Sequence, residues 1–336
     1  MIFFDTTKTG AASHRSGLTR VSARLRAGLG PRATGVAWNA IAPKPSDWFL
    51  TSELFSEEER PGFTAFLNDR RCRLAAIFHD AIPLKHPQIT WPHSVARHPG
   101  YMKLLARFDR VWAVSQSSCD ELIGFWRWQG IEQMPPVKML ALGADFDGSP
   151  RVAERAAPTV PRLLCLGIVE PRKNQPLILE VCAELWREGL VFELHVVGRV
   201  NPHFGRTIAA RIGKMRGEHP GRLWFHEAAD DGELAGLFAT ARATVFPTIA
   251  EGCGLPLLES LWRGVPCLCS DLPVLLENAS GGGCLPVATN DSKAWKDALR
   301  GILTDDVLAA QLTREAMTRS LSTWQAAADR LAADLA

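Results

Sequence analysis

Short aliphatic and β-branched runs alternate along the chain with longer segments in which apolar residues recur every three or four positions, the pattern of parallel α/β domains. In the first half, strands are expected over 1–6, 35–39, 73–79, 110–115 and 137–142, with helices over 16–29, 94–108 and 117–127. In the second half, strands over 162–168, 191–197, 222–225, 243–247, 266–269 and 283–287 alternate with helices over 175–188, 205–216, 231–240, 256–263 and 291–303. Residues 305–336 add two Ala-rich helices, broken near Ser320–Trp324, and a terminal helix of this kind often packs across onto another domain. The stretch Gly143–Pro158 carries Gly, Pro and charge without periodicity and reads as a linker. The expected organisation is thus one doubly wound domain over 1–150, a second over 151–316, and a crossing segment over 317–336. Ligands of open parallel sheets bind beyond the carboxyl ends of the strands, so the chemistry is expected there, in a cleft between the two domains.

Composition agrees with this picture and narrows the partners. A chain of 336 residues, 46% hydrophobic and 22% charged, can build two sizeable cores, which excludes a disordered or collagen-like protein. The net charge of +2 supplies no global field, so nucleic acid is not an expected partner. The opening Met-Ile-Phe-Phe-Asp lacks a basic n-region and is interrupted by Asp5, so no signal peptide is expected; no apolar run reaches 18 residues, so no membrane span is expected either. Eight Cys are scattered without a C-x-x-C pair and read as buried thiols of a reducing cytoplasm.

The sharpest chemical signal is Thr244-Val-Phe-Pro-Thr-Ile-Ala-Glu251-Gly-Cys253-Gly254-Leu255-Pro-Leu-Leu-Glu259. A strand ends, a Gly-containing loop follows, and Pro256 suits the first turn of a helix that stops at Gly264. Such a loop presents backbone N–H groups at a helix N-terminus, where an anion can approach closely. Glu251 and Glu259 then border one phosphate-sized pocket, and carboxylates accept paired hydrogen bonds from vicinal hydroxyls such as those of a ribose or a hexose. The second signal is Gly167-Ile-Val-Glu170-Pro-Arg172-Lys173-Asn174, where a strand ends and two cations project from its carboxyl end, placed to neutralise a diphosphate.

Together these two motifs resemble the retaining glycosyltransferases of family four, which have the GT-B architecture of two Rossmann-like domains. Glu251 and Glu259 match the family's E-x7-E pair, and Glu170-Pro-Arg-Lys-Asn its phosphate-binding turn. The resemblance spans essentially the whole chain. Asp230-Asp-Gly-Glu-Leu fits the segment that holds the nucleoside base, and Ser322-Thr-Trp324 the start of the last helix. Ser16-Gly17-Leu-Thr-Arg20 resembles the N-terminal Gly loop that reaches the donor phosphate, while His79 in Ala76-Ile-Phe-His-Asp-Ala-Ile-Pro83 resembles the strand-end His beside the transferred sugar. Read without the family, His79 serves equally well as a structural hydrogen-bonder. Two departures stand out: Ile168 occupies a place where many relatives have Arg, which throws the phosphate charge onto Arg172 and Lys173, and Cys253 replaces an aromatic residue between the loop glycines.

The resemblance implies transfer with retention at the anomeric carbon from a nucleotide sugar, GDP- or UDP-linked, to a glycan or polyprenyl-linked acceptor. The expected catalytic residues are His79 and Glu251, and the expected donor-binding residues Gly17, Arg172, Lys173, Cys253, Gly254, Leu255 and Glu259. No D-x-D ends a strand near the Glu pair and no His/Cys cluster has metal spacing, so neither a metal nor another cofactor is expected. From Thr6 to Ser46 there is no acidic residue but seven basic ones: Lys8, Arg15, Arg20, Arg24, Arg26, Arg32 and Lys44. That segment fits either peripheral contact with an anionic membrane, through an amphipathic helix 18–29 bearing Leu18, Val21, Leu25 and Leu29, or a core-packed helix with a solvated basic face. Trp126-Arg-Trp128 fits an acceptor platform or a helix end. The competing functions are a UDP-sugar transferase acting on a small soluble acceptor and a non-catalytic nucleotide-sugar-binding subunit. A nicotinamide oxidoreductase is disfavoured, because no G-x-G-x-x-G follows the first strand of either half.

Overall fold

The computed structural model describes residues 1–11, 17–145, 148, 150–151 and 160–336, so Ser16, Arg15 and most of the expected linker lie outside the described residues. The chain forms two compact units, Met1–Gly143 with Ser322–Ala336, and Ala144–Leu321. The divisions therefore fall at 143/144 and 321/322, against 150/151 and 316/317 in the sequence reading. The second shifts because the chain up to Arg319 is held in the second unit: Glu315 Oε2 accepts from the Gly283 N–H at 2.9 Å, and Arg319 Nη1 donates to the Gly282 carbonyl at 3.1 Å.

The first unit is a parallel sheet of β1 (Ile2–Asp5), β2 (Ala33–Val36), β3 (Trp48–Thr51), β4 (Arg73–Phe78), β5 (Arg110–Ala113) and β6 (Val137–Met139), ordered β2-β1-β3-β4-β5-β6. The connections carry helices α1 (Gly17–Leu29), α2 (Phe63–Asp69), α3 (Ile82–Lys85), α4 (Pro92–Leu105) and α5 (Gln116–Trp128). Strand β3 was absent from the sequence expectation. All four of its residues are buried, so it has no polar alternation to betray it. Its Phe49 joins Phe55, Phe63, Phe66 and Phe108 in an aromatic core.

The second unit is likewise parallel, with β7 (Arg162–Leu166), β8 (Glu193–Val197), β9 (Leu223–His226), β10 (Ala243–Phe246), β11 (Cys267–Ser270) and β12 (Cys284–Val287) ordered β12-β11-β10-β7-β8-β9. Its helices are α6 (Gln175–Arg187), α7 (Arg206–Glu218), α8 (Asp231–Thr240), α9 (Leu255–Trp262), α10 (Pro273–Ala279), α11 (Ser292–Thr304) and α12 (Asp306–Thr318). Of the two terminal helices, α12 stays on this unit, while α13 (Trp324–Leu335) belongs to the first unit and packs on α1. There Gln325 Nε2 donates to the Gly28 carbonyl at 3.0 Å and Arg32 pairs with Asp329 at 2.7 Å.

Each sheet has a switch point, where the strand order reverses and a crevice opens beyond the carboxyl ends. In the first unit β1 and β3 flank it, and in the second β7 and β10 do.

Candidate active site

In the second unit the two sequence motifs leave the sheet from neighbouring strands. Strand β7 runs into Gly167 and then a one-turn helix over Pro171–Lys173, while β10 runs into the loop that carries Glu251. Gly167 and Gly198 end β7 and β8 with φ of 133° and 147°, and a Cβ on Gly198 would lie 2.1 Å from the Gly167 carbonyl oxygen, so only glycine fits there. Asn174 takes a left-handed conformation (φ 51°) between the short helix and α6.

The loops close on one carboxylate oxygen. Glu251 Oε1 accepts from Lys173 Nζ at 2.5 Å, Arg172 Nη1 at 3.0 Å and Thr248 Oγ1 at 2.8 Å. Lys173 is 7% exposed, and its ammonium also lies 4.6 Å from the centre of the Phe246 ring, a cation–π contact. Arg172 reaches the Ala250 carbonyl at 3.0 Å and, through Nε, Glu170 Oε1 at 2.9 Å; Asn201 Nδ2 holds the other oxygen of Glu170 at 2.8 Å. Burial would raise the Glu251 pKa, but Lys173 and then Arg172 outweigh it and hold the carboxyl below its usual range. Burial draws the Lys173 ammonium below its usual range, against the pull of Glu251. Two cations and the carboxylates of Glu170 and Glu251 make a cluster with no formal net charge.

Beyond Glu251, the Cys253 carbonyl accepts from Asn278 Nδ2 at 2.5 Å. Gly254 turns the chain at φ 81°, where a Cβ would lie 2.6 Å from a Leu275 methyl, and α9 starts at Leu255. Glu259 follows Leu255 by four residues on the same helical face and is buried. Asp230, expected near the base, is the N-cap of α8, accepting from the Glu233 N–H at 2.8 Å.

In the first unit His79 stands just past β4, 7% exposed, at the carboxyl end of the sheet. Its Nε2 donates to the Ser52 carbonyl at 2.8 Å, and its own carbonyl accepts from Ser118 Oγ at 2.9 Å. Burial lowers its pKa, against the hydrogen bond to Ser52 and the charge of Asp80. Gly17 opens α1, and no described residue lies within 4 Å of where its Cβ would sit. His79 and Gly17 belong to one unit and the six other donor-binding candidates, with Glu251, to the other.

Sequence reasoning missed Thr248, which is fully buried, along with Asn201 and Asn278, which brace the loops. Asn201 and Thr248 carry a recognisable signal, a small polar residue within a few positions of a strand's carboxyl end. The basic N-terminal helix is changed by the structure: Val21, Leu25 and Leu29 are buried, so its apolar side is core and any membrane contact there must rest on charge. Lys8 and Arg32 are already paired, with Glu59 and Asp329. The two tryptophans of 126–128 part company: Trp126 is core and donates to the Met102 carbonyl at 2.7 Å, whereas Trp128 is 79% exposed. Among the described residues no helix is long and apolar enough to cross a membrane.

Two parallel α/β units, each with a switch point and one carrying a Glu–Lys–Arg cluster there, form the two-domain GT-B fold. The chain belongs to the group 1 glycosyltransferases: the family model for glycosyl transferases group 1 matches residues 151–319. It is 36% identical over 280 residues to O-antigen chain mannosyltransferase B of Escherichia coli, covering 80% of this chain and 71% of that one. To the serotype-specific mannosyltransferase WbdA of Escherichia coli it is 31% identical over 221 residues, 60% of this chain; the match spans about a quarter (26%) of WbdA's length. Among solved structures, WaaG, a glycosyltransferase involved in lipopolysaccharide biosynthesis, superposes with a TM-score of 0.66 at 18% identity, covering 98% of this chain and 99% of WaaG. A sucrose-phosphate synthase from Thermosynechococcus elongatus gives a TM-score of 0.73 at 17% identity, covering 98% and 96%. At these identities the structural likenesses establish the fold alone.

Proposed function

We propose that this chain is a retaining glycosyltransferase that moves a hexose, read as mannose from GDP-mannose, from a nucleotide sugar to a glycan or polyprenyl-linked acceptor in polysaccharide synthesis. The observation that carries the proposal is the Glu251 carboxylate, its side chain 9% exposed, gripped by Lys173, Arg172 and Thr248 at the β7/β10 switch point. The mannosyltransferase relatives support the choice of sugar.

In this reading Glu259 accepts the ribose hydroxyls and Glu251 the hydroxyls of the transferred sugar. Arg172, Lys173 and the backbone N–H groups of Cys253, Gly254 and Leu255 stabilise the leaving diphosphate without a metal, by fixed charge and dipole at the point where negative charge develops. Gly17 admits the donor phosphate and His79 stands beside the sugar. Both carboxylates are committed to hydroxyls, which leaves front-face substitution. The bond from the anomeric carbon to the diphosphate oxygen breaks as the bond to the acceptor oxygen forms on the same face, and the departing oxygen takes the acceptor's proton. Contact with an anionic membrane through the basic N-terminal segment belongs to the same proposal.

A thermal-shift panel of GDP-, UDP-, ADP- and dTDP-sugars, followed by NMR of the product anomer, tests it. GDP-mannose is expected to raise Tm most and to yield product of unchanged anomeric configuration. Stabilisation by UDP-sugars alone shifts the reading to a UDP-dependent transferase, and no stabilisation by any of them removes the donor site. An inverted product or a trapped covalent glycosyl-enzyme overturns the front-face route.

A further inference from the structure

The first unit holds a buried ion cluster that the proposed reaction does not use. Arg60 is 2% exposed and lies between two buried carboxylates: its Nη1 donates to Asp5 Oδ2 at 2.7 Å, and its Nη2 donates to Glu53 Oε2. Glu53 is also wrapped by the chain leaving β1, accepting the Thr9 N–H at 2.7 Å, Thr9 Oγ1 at 2.8 Å and the Lys8 N–H at 2.9 Å. Asp5 ends β1 and accepts from Thr51 Oγ1, at the end of β3, at 2.7 Å. The residue between Thr51 and Glu53 is Ser52, whose carbonyl receives the His79 Nε2–H at 2.8 Å.

Three consecutive residues at the end of β3 and just past it thus hold the switch point together: Thr51 binds the end of β1, Ser52 orients His79, and Glu53 locks to Arg60. A carbonyl oxygen can only accept, so the Ser52 contact places the proton of the neutral imidazole on Nε2 and leaves Nδ1 as the acceptor. The carbonyl can aim at the ring only while the residues on either side of it are fixed.

We propose that Glu53 and Arg60 are positioning residues that, by fixing the Ser52 carbonyl, set the tautomer and orientation of His79. This rests on the reading of His79 as the residue beside the transferred sugar. In Glu53→Gln one acceptor oxygen becomes an amide donor facing the Arg60, Lys8 and Thr9 donors, so the variant keeps the shape and reverses the hydrogen-bonding sense.

The test combines kinetics with ring 15N NMR of histidine-labelled protein, the His79 signals being assigned by their absence in His79→Gln. Wild type is expected to show His79 protonated at Nε2 with a lone pair on Nδ1. Glu53→Gln is expected to mix the tautomers and to lower kcat by about 10- to 100-fold, the order found when a partner that orients an active-site ring is lost. The Kd of the free nucleoside diphosphate should stay within about 3-fold, because its proposed charged contacts, Arg172 and Lys173, are in the other unit. Arg60→Lys, which keeps the charge, should retain more of kcat than Arg60→Met. An Nδ1-protonated His79 in wild type overturns the proposal, and that measurement needs neither Glu53 nor Arg60 to be altered. So does a folded Glu53→Gln protein with unchanged His79 signals or unchanged kcat. If His79→Ala turns over at the wild-type rate, the catalytic reading of His79 fails while the tautomer result still reports on the positioning.

Discussion

One oxygen of Glu251 takes a lysine, an arginine and a threonine, and that convergence decides how the site answers to mutation. In Lys173→Ala the carboxylate keeps Arg172 and Thr248, so the fold should survive, while the proposed diphosphate site loses a cation. Binding of the free nucleoside diphosphate should weaken by about 1.5–3 kcal/mol, the value of one charge-assisted hydrogen bond, with the nucleoside hardly affected. Isothermal titration with both ligands checks it, and equal losses would remove Lys173 from the phosphate site. Glu259→Ala makes the complementary case: loss of ribose acceptors should weaken nucleoside and diphosphate alike, and unchanged affinity for both would count against its assignment. In the proposed reading Cys253 contributes its backbone N–H and not its sulfur; its carbonyl accepts from Asn278.

Among the elements, α1 and α13 form the pair with the most consequence, because α13 is what returns the end of the chain to the first unit. They approach at Gly28, where a Cβ would lie 2.7 Å from the Ala328 Cβ and 3.1 Å from the Trp324 carbonyl. Gly28→Ala must push the helices apart, at a cost of about 1–3 kcal/mol. A fall in Tm of several degrees is expected by calorimetry, and an unchanged Tm would show that the contact is loose. Val21, Leu25 and Leu29 of α1 are buried, so it is the basic side of α1 that an anionic surface would meet. Vesicle flotation should therefore depend steeply on ionic strength if this helix binds a membrane at all.

At the scale of the whole molecule, acid should unfold the protein early. His79 and His98 are buried, and burial lowers the pKa of both from the ordinary 6.5. Unfolding releases imidazoles that bind protons more readily than the folded ones do. The stability they contribute is therefore complete above about pH 6.5 and is lost as the pH falls toward their folded-state values, by up to about 1.4 kcal/mol per pH unit for each. The Glu251 carboxyl, lowered from 4.5, acts in the same sense at more acid pH. Denaturant titrations from pH 7.5 to 5.5 should show falling stability, and a flat profile would mean that these rings take up protons in place.

Local patterning was enough to place the strands of the second unit and its helices other than α10, and to mark the motifs of Glu170–Asn174 and Glu251–Glu259 at strand ends, since periodicity, glycine and proline act over a few residues. It did not reveal β3, whose four buried residues lack alternation, and it singled out neither Glu53 nor Arg60, which closes the charged run Ser56-Glu-Glu-Glu-Arg60. Nor could it separate buried Trp126 from exposed Trp128. The sequence by itself therefore determined the α/β class and the family, and it marked the residues proposed to bind a diphosphate and a sugar. Which of those residues meet was decided by the tertiary structure. Lys173 and Glu251 lie 78 positions apart and touch because β7 and β10 are neighbours in the sheet, and Arg60 becomes an ion-pair centre because β1 and β3 are. Strand order is set by long-range packing of buried faces, and a buried charge must take whatever partner that packing supplies.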